Sequence, residues 1–322
     1  MQPNPLLRFL DKRNGPIVRL STRHFNTSYG DLFYSISELH RDLLIEESLK
    51  GALSLSGAGW SRDRKESQEK SIVEAIERWA FLKYSRECPK NIGNNFDSST
   101  NGFAAIPTSL GFQKSYQNSL FESFERYTLC EFWDHRRSPL FEVSISSDNQ
   151  FIYELISEKK GSIKIYAYEY DNFNEAYPSY FKQKGSAFFI LALFFRANVG
   201  VVPGSACGES LHKTQERALL EMFNHLSALE SIESGKIIPD DSILDQRLVG
   251  FGTSEKLTEE VKKAVEHCLR LHSTNKVSQV RFPQIKFSNL ISGPWDPDVF
   301  VSRVIVDGSV PLSEGDCGRF VI

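Results

Sequence analysis

Apolar residues recur along this chain with two periods, and the switches between them mark out its elements. Ile72, Val73, Ile76 and Trp79 follow the three-and-four spacing of one helical face, which predicts a helix over about 66–84. The same spacing predicts helices over about 115–134, 213–230 and 255–271, and a further one at Leu32–Leu44 (LFYSISELHRDLL). Between 138 and 200 the period shortens to two, in LFEVSI and IKIYAYEY. The run Ala187–Phe195 (AFFILALFF) is too short to cross a bilayer and reads as a buried strand. Phe300–Val306 (FVSRVIV) reads as the last strand.

Small and polar residues separate these elements. Leu53–Ser61 (LSLSGAGWS) reads as flexible, 86–118 mostly as loop, Gly200–Gly208 as a glycine-rich turn, and 236–260 as surface loop. Helices and strands intermix, and no Pro/Gly/Ser linker cuts the chain. The expected architecture is α/β in the mixed α+β sense, a single domain over 1–322 with a mixed sheet and flanking helices. Residues 1–50 are its lead-in, 51–310 its core and 311–322 its tail.

Composition narrows the function classes. Of 322 residues, 40% are hydrophobic and 25% charged, the balance of a globular protein. Lys and Arg number 38 against 41 Asp and Glu, a net charge of −3, without the basic excess of a nucleic-acid binder. The N-terminal residues carry no apolar signal-peptide core, and no segment reads as membrane-spanning. Cys88, Cys130, Cys207, Cys268 and Cys317 lie far apart without metal-ligand or disulfide-framework spacing, which fits reduced thiols in the cytoplasm.

An internal repeat carries the chemistry. The first strong helix reads Ser71-Ile-Val-Glu74-Ala-Ile-Glu77-Arg78-Trp79 and the second Ser119-Leu-Phe-Glu122-Ser-Phe-Glu125-Arg126-Tyr127. The third, Arg217-Ala-Leu-Leu-Glu221-Met-Phe-Asn224-His225, keeps the first glutamate only. ExxER places two carboxylates and a guanidinium on one helix face. A single copy is explained by an i,i+4 Glu–Arg pair that stabilises the helix by about 0.2–0.5 kcal/mol. Two copies among large apolar residues change the reading, because four converging carboxylates repel unless cations separate them. Such hard oxygen donors suit Mg²⁺ bridging to phosphate, and forked arginines suit the phosphates themselves. The chemistry points to a magnesium-nucleotide site between repeat-related helices. A segment of small residues precedes each helix: Ser56-Gly57-Ala58-Gly59, then Ser98 to Ala105, then Gly204 to Gly208. Each can act as a plain turn or let backbone amides approach a phosphate.

SIVEAIER, STNGFAA with LFESFER, GSACG with ERALLEMFN, and SRVIVDG, in this order and spacing, resemble the YcaO-domain family over about 50–310. The resemblance implies a YcaO-like fold and an ATP- and Mg²⁺-dependent enzyme that modifies peptide backbone amides. It implies magnesium ligation by Glu74, Glu77, Glu122 and Glu125. Nucleotide contacts are implied for Arg126, Arg217, Glu221, Asn101 and Ser71. The implied substrate is a ribosomally made precursor peptide. The implied reaction is azoline-forming cyclodehydration through phosphorylation of the amide oxygen, with thioamide or amidine formation, or a non-catalytic scaffold subunit, as alternatives. A separate leader-recognition partner, ThiF-like or similar, and a homodimer are expected. Cys207 is the one protein thiol placed to be considered as a sulfur carrier. The chain departs from the family pattern at Ala58, where a GKG loop carries lysine, at Asn224, where Gln or Glu is common, and in its end, Gly318-Arg-Phe-Val-Ile322, which lacks a proline-rich tail.

Overall fold

The computed structural model describes residues 5–10, 15–40, 43, 56–87, 101–170, 186–197, 199–236, 243–273, 283–308 and 318–320. Cys88, Cys317, Ser98 and most of the expected tail lie outside them. In chain order the elements begin with strands β1 (Ile17–Thr27), β2 (Gly30–Leu39) and β3 (Ser56–Ser61), helix α1 (Arg64–Glu87), β4 (Asn101–Pro107) and helix α2 (Phe112–Trp133). Then come β5 (Phe141–Glu142), α3 (Gln150–Ser157), β6 (Gly161–Tyr170), β7 (Ala187–Arg196), β8 (Gly200–Gly208) and α4 (Leu211–Glu233). The series closes with α5 (Ile243–Thr253), α6 (Glu255–Ser273), β9 (Ile285–Ile291) and β10 (Val299–Val306). Two compact units divide them: residues 1–120 with 287–305, and residues 121–286 with 306–322. The boundary falls inside α2.

In the first unit, β1, β2 and β3 form an antiparallel sheet in that order. A second sheet has the order β4-β10-β9, with β4 and β10 antiparallel. Helix α1 packs on β3 and β2 and also meets β4. Asp63 caps it, its Oδ1 accepting the Glu66 amide at 2.8 Å, and its own carbonyl accepting the Ser67 amide. Ile72, Ile76, Phe81 and Leu82 then bury with Phe9, Phe103, Trp295 and Val301.

The helix expected at 32–44 is instead strand β2 through Leu39; beyond position 40 only Leu43 is described. The core-facing positions Ser35 and Ser37 explain the misreading. Both are fully buried, and their hydroxyls bond Ser67 at 2.7 Å and Ser71 at 2.8 Å on α1. A strand whose buried face carries serines does not show apolar alternation.

In the second unit, β5, β6, β7 and β8 form an antiparallel sheet in that order. The AFFILALFF run is the inner strand β7, paired on both sides, as its continuous apolar text predicts. Helix α4 packs on β7 and β8, and α5 and α6 also meet β8. The segment read as loop at 236–260 holds α5 and the start of α6. Phe320 is buried against Trp133 and Phe251, with ring centroids 5.4 and 4.8 Å away. Beside it, Arg319 reaches Asp134 at 2.5 Å and the Cys130 sulfur at 3.3 Å.

All three small-residue segments proved to contain strands: β3, β4 and β8. Their residues are small because a helix lies directly on them. A Cβ at Gly57 would sit 2.2 Å from the Ala75 amide nitrogen, and one at Gly204 2.2 Å from the Ala218 carbonyl. Such distances admit no side chain, so glycine here serves close approach and not flexibility.

Candidate functional site

In the first unit the chemistry-bearing residues stand where α1 leans on its strands. The close contact at Gly57 brings the next amide, that of Ala58, within 3.0 Å of Glu74 Oε2. Glu74 Oε1 takes Arg78 at 3.2 Å, one turn further along the helix. Their side chains are 34% and 30% exposed, so this is not a fully solvated surface pair. Glu77 accepts the Ala105 amide of β4 at 3.0 Å. Each glutamate of the first ExxER thus accepts a strand amide while remaining partly exposed. Ser71 is fully buried, its hydroxyl occupied by Ser37 and by the Gln68 carbonyl, so in this conformation it ties helix to strand. Asn101 opens β4 opposite Ile305.

The second unit repeats the arrangement. The close contact at Gly204 of β8 on α4 brings the Ser205 amide to Glu221 Oε2 at 2.5 Å. The Ser205 hydroxyl donates to Glu125 Oε1 at 2.7 Å. Arg126 pairs with Glu122 one turn before it, at exposures of 16% and 25%. Arg217 is exposed and spans the end of β8, donating to the Cys207 carbonyl at 3.1 Å. The structure therefore gathers Glu122, Glu125, Arg126, Arg217 and Glu221 in one electrostatic neighbourhood.

Burial sets the charge state there. The Glu125 carboxyl is pushed from an ordinary 4.5 up to about 7, first by loss of solvent and then by the negative charge of Glu221. Arg217 and the Ser205 hydroxyl offset only part of this. Glu221 is likewise pushed up to about 7 by burial, against the pull of the Ser205 amide, Arg217 and Arg126. His225 donates from Nδ1 to the Pro203 carbonyl at 2.8 Å, the one role a carbonyl partner allows, and burial lowers its pKa. Ser205, Glu221 and His225 share a small cavity with Leu191 and Phe320. Cys207 is fully buried, and burial drives its thiol far above the ordinary range, which does not suit the sulfur-carrier role considered for it.

The three helices share a deeper pattern than the glutamates alone. Ser67, Ser71 and Glu74 on α1, Ser115, Ser119 and Glu122 on α2, and Thr214, Ala218 and Glu221 on α4 follow one spacing of four and three. The small members face strands. Ser67 donates to the Gly59 carbonyl at 2.9 Å, and Ser115 and Ser119 bond Ser302 of β10. Ser205 has no counterpart in the sequence-derived residue set, because its contacts depend on β8 being a strand laid on α4.

Among the described residues, no group of three or more His, Cys, Asp and Glu forms a ready-made metal cluster. The donor chemistry nevertheless fits a hard divalent cation. Two enclosed carboxyls that resist ionisation, one held by the Ser205 hydroxyl and the other by its amide, make a place where added positive charge restores the carboxylate form.

No protein-family model matches the sequence, and no curated protein matches it. Solved structures do match. YcaO from Methanopyrus kandleri bound with AMPPCP and Mg²⁺ aligns at a TM-score of 0.56 and 18% identity, covering 99% of this chain and 94% of that one. The E. coli microcin synthetase McbBCD complex aligns at 0.56 and 12% identity, covering 89% and 87%. The same complex with pro-MccB17 bound gives 0.54 and 13%, covering 89% and 86%. The likeness is one of fold: nearly the whole chain adopts the fold of these YcaO structures.

Proposed function

We propose that this chain, built on the YcaO fold, is an ATP- and Mg²⁺-dependent enzyme that activates backbone amides of a ribosomally made precursor peptide for azoline-forming cyclodehydration. The observation that carries the reading is the Glu125–Ser205–Glu221 cluster, two enclosed carboxyls whose full ionisation calls for a cation. A solved relative in fold holds AMPPCP and Mg²⁺, and another holds pro-MccB17. In this reading Glu74 and Glu77 of the first unit, and Glu122 and Glu125 of the second, are the magnesium ligands. Arg126 and Arg217 offset phosphate charge, and Glu221 and the Asn101 segment bound the nucleotide. ATP supplies a phosphoryl group that turns the amide oxygen into a good leaving group. The protein's own residues orient and neutralise: the strand amides of Ala58, Ala105 and Ser205 fix the carboxyls before ligand arrives, which spares reorganisation at the reacting centre. Leader recognition falls to a separate partner, ThiF-like or similar, in keeping with McbBCD being a complex.

Co-expression with a neighbouring small peptide tests the reaction and reports the nucleophile: loss of ~18 Da marks ring closure by the peptide's own side chain or amine, to azoline or amidine, and gain of ~16 Da marks exchange of oxygen for sulfur, to thioamide. Ala58 favours one second reading, a non-catalytic scaffold subunit, since β3 presents a methyl group where the resembled family has lysine. A thermal-shift titration separates the two. MgATP at a hundredfold excess over its dissociation constant stabilises a binder by about 2.7 kcal/mol, whereas a scaffold without a nucleotide site shows no shift.

A further inference from the structure

Resting on that reading, we infer that Ser205 is a positioning residue that sets the divalent-cation affinity of the site by holding Glu125 and Glu221 at once. One residue of β8 supplies two donors in two directions. Its hydroxyl takes Glu125 Oε1 at 2.7 Å, and its amide takes Glu221 Oε2 at 2.5 Å. Each carboxyl gives Ser205 one oxygen and keeps the second for another partner. The two glutamates come from different helices, α2 and α4, so no helical geometry fixes their mutual orientation. Ser205 does so because Gly204 admits α4 against β8 without a side chain between them.

The first unit shows what is specific to this arrangement. Ala58 stands at the equivalent place, after Gly57, and its amide holds Glu74 as the Ser205 amide holds Glu221. Ala58 has no hydroxyl, and Glu77 is held instead by the amide of Ala105 on another strand. Two backbone donors there do what a single serine does in the second unit. A backbone amide survives any side-chain substitution; a hydroxyl does not. Of the two carboxyls that Ser205 holds, Glu125 is the one whose hold Ser205→Ala removes. Donors that orient metal-binding carboxylates govern affinity by restricting rotation and favouring the ionised form.

The test uses the full chain with a non-hydrolysable ATP analogue and Mn²⁺, counted by its spin-resonance signal. Replacing Ser205→Ala should raise the half-saturating Mn²⁺ about tenfold, the range for losing a hydrogen bond to a charged group, while the metal-free melting temperature stays close to wild type. Ser205→Thr, which keeps the hydroxyl, should restore the midpoint. An unchanged Mn²⁺ midpoint in Ser205→Ala, with wild type binding normally, overturns the inference and leaves the proposed function standing. A midpoint that moves only together with the melting temperature, and that Thr does not restore, also overturns it, since that is the signature of a packing role. Wild type that binds neither analogue nor Mn²⁺ overturns the proposed function itself.

Discussion

Glu125 and Glu221 tie the proposed function to a measurable cost. Burial pushes both carboxyls from an ordinary 4.5 up to about 7, so between these values the folded state binds more protons than the unfolded chain. Stability from this pair is fully present below the unfolded value and is lost as pH rises through about 7. The metal-free melting temperature should therefore fall between pH 5 and about 7.5, and Glu125→Gln should flatten that slope. Divalent cation should oppose the decline, because it takes the place of the missing proton. The arginines make a separate prediction. Arg217 is exposed and donates to the Cys207 carbonyl, whereas Arg126 is tied to Glu122. Arg217→Ala should weaken ATP-analogue binding, measured by calorimetry, and lower the melting temperature at neutral pH, because it removes a positive charge that offsets the enclosed Glu125 and Glu221 carboxyls.

The strand–helix pair is the unit from which the candidate site is assembled, and its fit rests on glycines. Gly204→Val should destabilise by more than about 3 kcal/mol in urea unfolding, because its side chain would meet the backbone of α4 at Ala218 and Met222. Asp63→Ala should cost about 1 kcal/mol by removing the cap of α1. The same packing explains what could be read beforehand. Helices α1, α2, α4 and α6 were legible, since each has an apolar stripe, and β7 was legible as an unbroken apolar run. Strands β3, β4 and β8 were not, because glycine, alanine and serine signal loops by composition even where they are small only to let a helix approach. Helix α5 escaped for a similar reason: Gly252 looks like a breaker, yet a Cβ there would press 2.3 Å from Leu229 of α4. The helical acidic and basic residues of the candidate site could be named from their repeat. Ser205 could not, since its meaning comes from a strand laid on α4 that also meets Glu125 of α2, 80 residues away in sequence.

At the scale of the whole molecule, sequence order and spatial order part company. Phe320, near the far end of the chain, completes an aromatic cluster with Phe132, Trp133 and Phe251. Phe320→Ala should cost about 3–5 kcal/mol in equilibrium unfolding, and Arg319→Ala should add to it by releasing Asp134. The first unit is built from two separated stretches, with β10 as the middle strand of its second sheet and Ser302 beneath Ser115 and Ser119 of α2. During synthesis, β4 and the start of α2 emerge long before the strand that covers them. A ribosome must add almost two hundred further residues first, and for that interval a serine-lined, half-apolar surface is open to chaperones and proteases. Nascent chains arrested before β10 should be cleaved readily around β4, and chains arrested beyond it should be protected.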